Sequence, residues 1–70
     1  MAELDVDALI GRFRDRAGAV RERSLPPVAG EERRRLIEAA ETDFMDFSLI
    51  AAASWAVEEG ALVLRIPLSP

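Results

Sequence analysis

The feature that most constrains this chain is its shortness, combined with the absence of the residues that form disulfides or structural zinc sites. It has 70 residues and contains neither cysteine nor histidine. A domain of this size buries a smaller fraction of its surface than a larger domain does, so its core alone is marginal. Disulfides need cysteine, and structural zinc sites are built from cysteine and histidine. We therefore expect oligomerisation or a partner subunit to support the fold.

The composition is typical of a folded globular chain. Hydrophobic residues make up 50% and charged residues 31% of the sequence, which is not the balance of a disordered chain. The longest uninterrupted apolar run, residues 49–53, is too short to cross a bilayer, and the first residues lack the basic and then apolar pattern of a secretory signal. We expect one cytoplasmic domain over residues 1–70, with no membrane contact.

A first amphipathic helix is predicted over about residues 5–23. Six apolar residues recur at the spacing that places side chains along one stripe of an α-helix. Asp5 precedes the stripe and is of a type that caps helix N-termini. The stripe consists of Val6, Leu9, Ile10, Phe13, Ala17 and Val20.

A loop and a second helix follow. Residues 24–30 contain two adjacent prolines, which interrupt the helical pattern. The next apolar stripe predicts a helix over about residues 31–47. Leu49 and Ile50 are interpreted as lying off this stripe, so the helix is expected to end near Phe47. The stripe consists of Leu36, Ile37, Ala40, Phe44 and Phe47.

A β-hairpin is predicted over about residues 48–68. The turn at residues 58–60 reads Glu-Glu-Gly, which suits a three-residue loop that ends in a G1 bulge. Gly60 would be the residue with positive φ. Val57 and Ala61 would close this loop and set the register of the pairs that follow. The predicted fold class is α+β, with two amphipathic helices and a C-terminal hairpin (ααββ).

In that register the two faces of the hairpin differ. One face carries the apolar ladder of Leu62, Leu64, Ile66 and Leu68, which we expect the helices to bury. The opposite face stays uncovered, and its single tryptophan is either a core residue or an interface anchor. We favour the anchor, because a two-stranded hairpin is not stable alone and a second chain could extend or cover the sheet. The predicted protein interface is Trp55, Val57, Val63 and Arg65.

Independent catalysis is not expected. The chain lacks histidine, cysteine, lysine and tyrosine, the side chains that most often serve as acids, bases and nucleophiles near neutral pH. The remaining carboxylates include an acidic group on the second helix, which lacks the loop spacing of a calcium site. It is either a solvated face or a docking surface for a basic partner. This group is Glu38, Glu41, Asp43 and Asp46. We predict no catalytic residue, cofactor or metal.

The charge is unevenly distributed along the chain. The net charge is -4, yet residues 1–35 hold eight arginines against seven acids, and residues 36–70 hold one arginine against six acids. The run Arg33-Arg34-Arg35 favours the alternative of a small DNA-binding or antitoxin-like regulator, although the interleaved acids count against nucleic acid as a partner. Our leading hypothesis is a non-catalytic protein that forms a homodimer or serves as an accessory subunit of a larger protein partner.

Overall fold

The computed structural model describes residues 4–68 and contains two helices followed by a two-stranded antiparallel hairpin. The predicted α+β fold class and the element order are confirmed. No helix within the described residues is both long enough and apolar enough to traverse a bilayer. The elements are α1 (Val6–Arg21), α2 (Gly30–Ala51), β1 (Ser54–Glu58) and β2 (Ala61–Arg65).

Helix α1 begins where its capping residue predicts. The Oδ1 atom of Asp5 accepts a hydrogen bond from the backbone N–H of Ala8 at 3.0 Å, so Asp5 is the N-cap. Asp7 lies in the first turn, where the positive end of the helix dipole stabilises a carboxylate. The predicted start is therefore confirmed, and the helix ends two residues before the predicted end.

Helix α2 continues past the predicted end. It runs to Ala51 instead of stopping near Phe47, so the prediction that the chain becomes extended from residue 48 is wrong. Ile50 lies three residues after Phe47 and extends the apolar side of the helix, and Ala51, which follows it, is a strong helix former. Ala52 is the C-cap of the helix and has no partner in the β-ladder.

The two helices form an antiparallel pair. The ring centroids of Phe13 and Phe47 are 6.0 Å apart, and Val20 lies with Ala40 in a shared groove further along the pair. The buried residues among 4–68 all belong to α1, and no residue of α2 is buried. The second helix therefore covers the first, whereas its own apolar face is only half-buried. The buried residues are Val6, Ile10, Ala17 and Val20.

The hairpin turn is tighter than predicted. Glu58 pairs with Ala61, which leaves a two-residue loop of Glu59 and Gly60. Their φ angles are 51° and 76°, and positive values at both central positions define a type I′ turn. Positive φ at Gly60 was predicted and is confirmed. The predicted three-residue loop closed by Val57 is wrong.

The register therefore differs by one residue from the predicted one, and a slip of one residue moves side chains to the other face. Trp55 pairs with Leu64, and Val57 pairs with Leu62. The prediction that the leucines lie opposite the tryptophan is wrong, because these four side chains share one face. We call Trp55, Val57, Leu62 and Leu64 the hairpin apolar face. The other face carries Ser54, Ala56, Glu58, Ala61, Val63 and Arg65.

The turn offers a direct test of this geometry. Glu59 has a left-handed conformation that is unfavourable for a residue with a Cβ, whereas asparagine tolerates it and Asn-Gly is a preferred type I′ sequence. Glu59→Asn should stabilise the fold by about 0.5–1 kcal/mol. Thermal unfolding measures the change. Glu59→Gln is the matched control, since it removes the same charge without the preference, and equal stabilities of the two variants would contradict the assigned turn.

The whole molecule is thin and extended. Its principal extents are 50 × 30 × 16 Å, and its radius of gyration is 15.7 Å. A compact domain of this length has a radius of gyration of about 11 Å. A helix with its side chains is about 10–12 Å across, so a thickness of 16 Å holds a single layer of secondary structure. Stable domains normally bury their apolar faces between two layers, and one chain supplies only one.

Candidate protein-interaction surface

The hairpin apolar face is the first candidate surface. Trp55 is 41% exposed and Val57 is 62% exposed, while Leu62 and Leu64 are half-buried. Four large apolar side chains thus lie together on a two-stranded sheet with no charged residue among them. The exposed part of this face, on Trp55 and Val57, contributes little to stability in water, because that apolar area has not been removed from solvent. A second chain that covered it would gain that contribution.

Trp55 is oriented by a contact with the start of α1. Its indole Nε1–H donates a hydrogen bond to Oδ1 of Asp7 at 3.2 Å. This bond satisfies the polar edge of the ring and leaves a substantial part of the ring exposed. No local sequence signal links the two residues, which are 48 positions apart. The bond places the hairpin beside the N-terminal end of α1.

The predicted interface residues do not share a surface. Trp55 and Val57 lie on the hairpin apolar face, whereas Val63 and Arg65 lie on the other face. On that second face, Nη2 of Arg65 is 3.9 Å from Oε1 of Glu58. Both of these charged side chains are mostly exposed, so the second face is the polar side of the hairpin. The role of all four residues in an interface stays a prediction, and a single flat contact could include only one of the two pairs.

A second apolar surface lies at the opposite end of the helix pair, and sequence reasoning missed it. It is a groove of about 260 Å³ between the end of α1, the proline-containing loop and α2. Leu25 and Leu36, at its rim, are exposed. The loop residues carry no periodicity that could have predicted it. We call this surface the loop groove; it is lined by Val20, Arg23, Ser24, Leu25, Pro26, Leu36, Ile37, Ala39, Ala40 and Glu41.

Arginine side chains border the helix pair on both sides. The guanidinium carbon of Arg21 lies 4.1 Å from the ring centroid of Phe44, and that of Arg16 lies 5.0 Å from the ring centroid of Phe13. These are cation–π distances, and the arginine stems cover part of each ring. Arginines, and not apolar side chains of a second layer, therefore lie over these rings.

The arginine run and the acidic group are both exposed and partly paired with each other. Arg34 forms salt bridges with Glu31 and, at 4.0 Å, with Glu38. Arg35 is 3.9 Å from Glu31. Because neighbouring carboxylates already offset these charges, the cluster attracts phosphate less strongly than the arginine run alone would suggest. The DNA-binding alternative therefore gains no support from this geometry.

The acidic group of α2 does not form one site. Asp43 accepts a hydrogen bond from Nη1 of Arg23 at 3.0 Å and so joins α2 to the loop that follows α1. Glu38 pairs with an arginine of its own helix, and Glu41 and Asp46 are exposed. Within residues 4–68 no three acidic side chains come close enough together to hold a metal ion. The interpretation of this group as a docking surface stays a prediction.

Comparison with family models, curated proteins and solved structures found no match for this chain. The two apolar surfaces and the charges beside them are therefore the features that bear on function.

Proposed function

We propose that this is a non-catalytic cytoplasmic protein that acts through protein contact, as a homo-oligomer or as an accessory subunit of a larger complex. The observation that carries the proposal is the uncovered surface of the single chain. Its accessible area is 5692 Å², whereas a compact monomer of 7.7 kDa exposes about 4,300 Å². The excess of about 1,400 Å² is larger than the area that one partner contributes to a standard protein interface, about 800 Å².

The hairpin apolar face supplies the contact. Large aromatic side chains are enriched among the residues that dominate binding energy, and Trp55 offers a ring whose polar edge is already hydrogen-bonded. Val57 lies beside it and is more exposed. The polar face of the hairpin, with Arg65 and Glu58, suits solvent. We therefore propose Trp55 and Val57 as the anchors of the contact, together with Leu62 and Leu64.

Self-association is favoured over a foreign subunit as the first form to test, because the chain alone has one layer and a second copy is always present. We expect sedimentation equilibrium at micromolar concentration to give twice the chain mass of 7.7 kDa, with dissociation on dilution. Circular dichroism at the same concentrations reports whether the chain stays folded. A chain that remains both monomeric and fully folded over the whole range would contradict the proposal of self-association.

A further inference from the structure

The two apolar surfaces lie at opposite ends of the molecule. The hydrogen bond between Trp55 and Asp7 places the hairpin beside the start of α1, and Val20 places the loop groove beside its end. Asp7 and Val20 are 13 residues apart on α1, which is about 20 Å along the helix axis, so the surfaces are separated by about that distance. One chain cannot bring them together.

The hairpin turn carries exposed carboxylates, and the groove end carries exposed arginines, although neighbouring acids pair with part of the arginine run. The hairpin ends in an acidic turn, Glu58 and Glu59, both of which are exposed. The loop groove adjoins the exposed arginine run at residues 33–35. Within that run, Arg33 falls between Ala40 and Ile37 around the helix and therefore in the middle of the α2 face that lines the groove, whereas Arg35 falls outside that face, next to its edge at Ala39. Arg33 thus lies beside the groove; Arg23 also lines the groove but is paired with Asp43.

We propose that a second copy of this chain docks antiparallel to the first, so that the hairpin apolar face of each copy covers the loop groove of the other and each acidic turn lies beside the partner's Arg33. This inference rests on the proposed function and names its partner and its two contact surfaces. The arrangement has twofold symmetry and contains two identical contacts. It adds the second layer that a single chain lacks.

Symmetry and area both favour this occupant. When two different surfaces at opposite ends of a chain bind each other once per pair of copies, the chains build open filaments. In an antiparallel pair the same contact forms twice, and the result is a closed dimer. If each copy buries its excess of about 1,400 Å², the interface totals about 2,800 Å², within the range of obligate homodimers. In a parallel arrangement the acidic turns of the two copies would meet each other and not Arg33, which is unfavourable.

A charge exchange tests the arrangement. Glu59→Arg places like charges in both contacts of its homodimer, and Arg33→Glu does the same with the opposite sign. Each variant alone should dimerise about tenfold more weakly, or worse, at low salt. An equal mixture should regain the wild-type dimer mass, because a mixed dimer pairs opposite charges in both contacts. Arg35→Glu is the matched control and should dimerise as the wild type does.

Each remaining outcome has a separate meaning. A wild type that is monomeric and folded ends the proposed self-association, and this inference with it. A wild-type dimer that neither Glu59→Arg nor Arg33→Glu weakens, or two weakened variants whose mixture does not recover, overturns the antiparallel arrangement and leaves self-association standing. Tighter binding of Glu59→Arg to the wild type than of the wild type to itself indicates hairpin-to-hairpin contact and also overturns it. An Arg33→Glu variant that is altered only in nucleic-acid binding, and not in dimerisation, also overturns the antiparallel arrangement. Sedimentation distinguishes a closed dimer from filaments, and circular dichroism confirms that each variant is folded.

Discussion

Val57→Arg should abolish the dimer at concentrations where the wild type is fully associated. Val57 is 62% exposed on the hairpin apolar face, so the single chain tolerates a long charged side chain there. In the dimer the guanidinium would be taken out of water without a partner, once in each contact, and burying an unpaired charge is strongly unfavourable. We expect a loss of about 3 kcal/mol or more, which raises Kd by a factor of about 100 or more.

The matched control for this prediction is Ala61→Arg. Ala61 is also exposed and also lies beside the turn, but its side chain is on the polar face of the hairpin. It should therefore dimerise with nearly the wild-type Kd. Sedimentation equilibrium gives both constants, and Trp55 fluorescence should shift to longer wavelength only in Val57→Arg, because its ring becomes more exposed on dissociation. Equal effects of the two substitutions would contradict the assignment of the contact to one face.

The helices were the most predictable part of this fold. Six apolar residues at helical spacing and an aspartate at the cap position determine α1, and the structure places that cap at Asp5. These signals are local, since each involves residues within one or two turns. The end of α2 was less predictable. Ile50 extends the apolar side of the helix only if the helix is already assumed to pass Phe47, and no glycine or proline marks its last turn.

The hairpin register was predicted wrongly, and the cause is a single turn residue, Glu59. Glutamate at a position with positive φ is uncommon, so Glu59-Gly60 does not resemble the usual type I′ sequences. The distribution of apolar and charged residues over the two faces could have corrected the predicted register. The observed register gathers Trp55, Val57, Leu62 and Leu64 on one face and the charged residues on the other, and the predicted register mixes them.

The candidate site was only partly predictable, because it depends on contacts between residues that are distant in the sequence. The importance of Trp55 followed from its size and from the lack of cover for a two-stranded sheet. Its hydrogen bond to Asp7 joins residues 48 positions apart, and the loop groove forms where a proline-containing loop packs against the helix pair. Contacts of this kind depend on how the elements pack together, and periodicity within one element carries no information about that.

Ile10→Ala should have the largest effect on stability. Ile10 is 6% exposed, and removing three carbon atoms from a buried isoleucine costs about 2–4 kcal/mol. A 70-residue domain has a total stability of about 3.5–10 kcal/mol, so this is a large part of the whole. The melting temperature should fall by roughly 10–25 °C. Met45→Ala is the control, because Met45 is 60% exposed and its truncation should change stability by less than about 0.5 kcal/mol.

The same variant links the core to the assembly. Anything that binds the folded chain and not the unfolded one stabilises it by mass action, so a chain that folds as a dimer melts at higher temperature when it is more concentrated. Ile10→Ala weakens the folded chain and leaves the hairpin apolar face intact, so raising its concentration should restore much of the lost melting temperature. Val57→Arg should show the reverse, with a melting temperature that does not depend on concentration. If the melting temperature of Ile10→Ala is also independent of concentration, then folding does not depend on association, and the single layer is stable by itself.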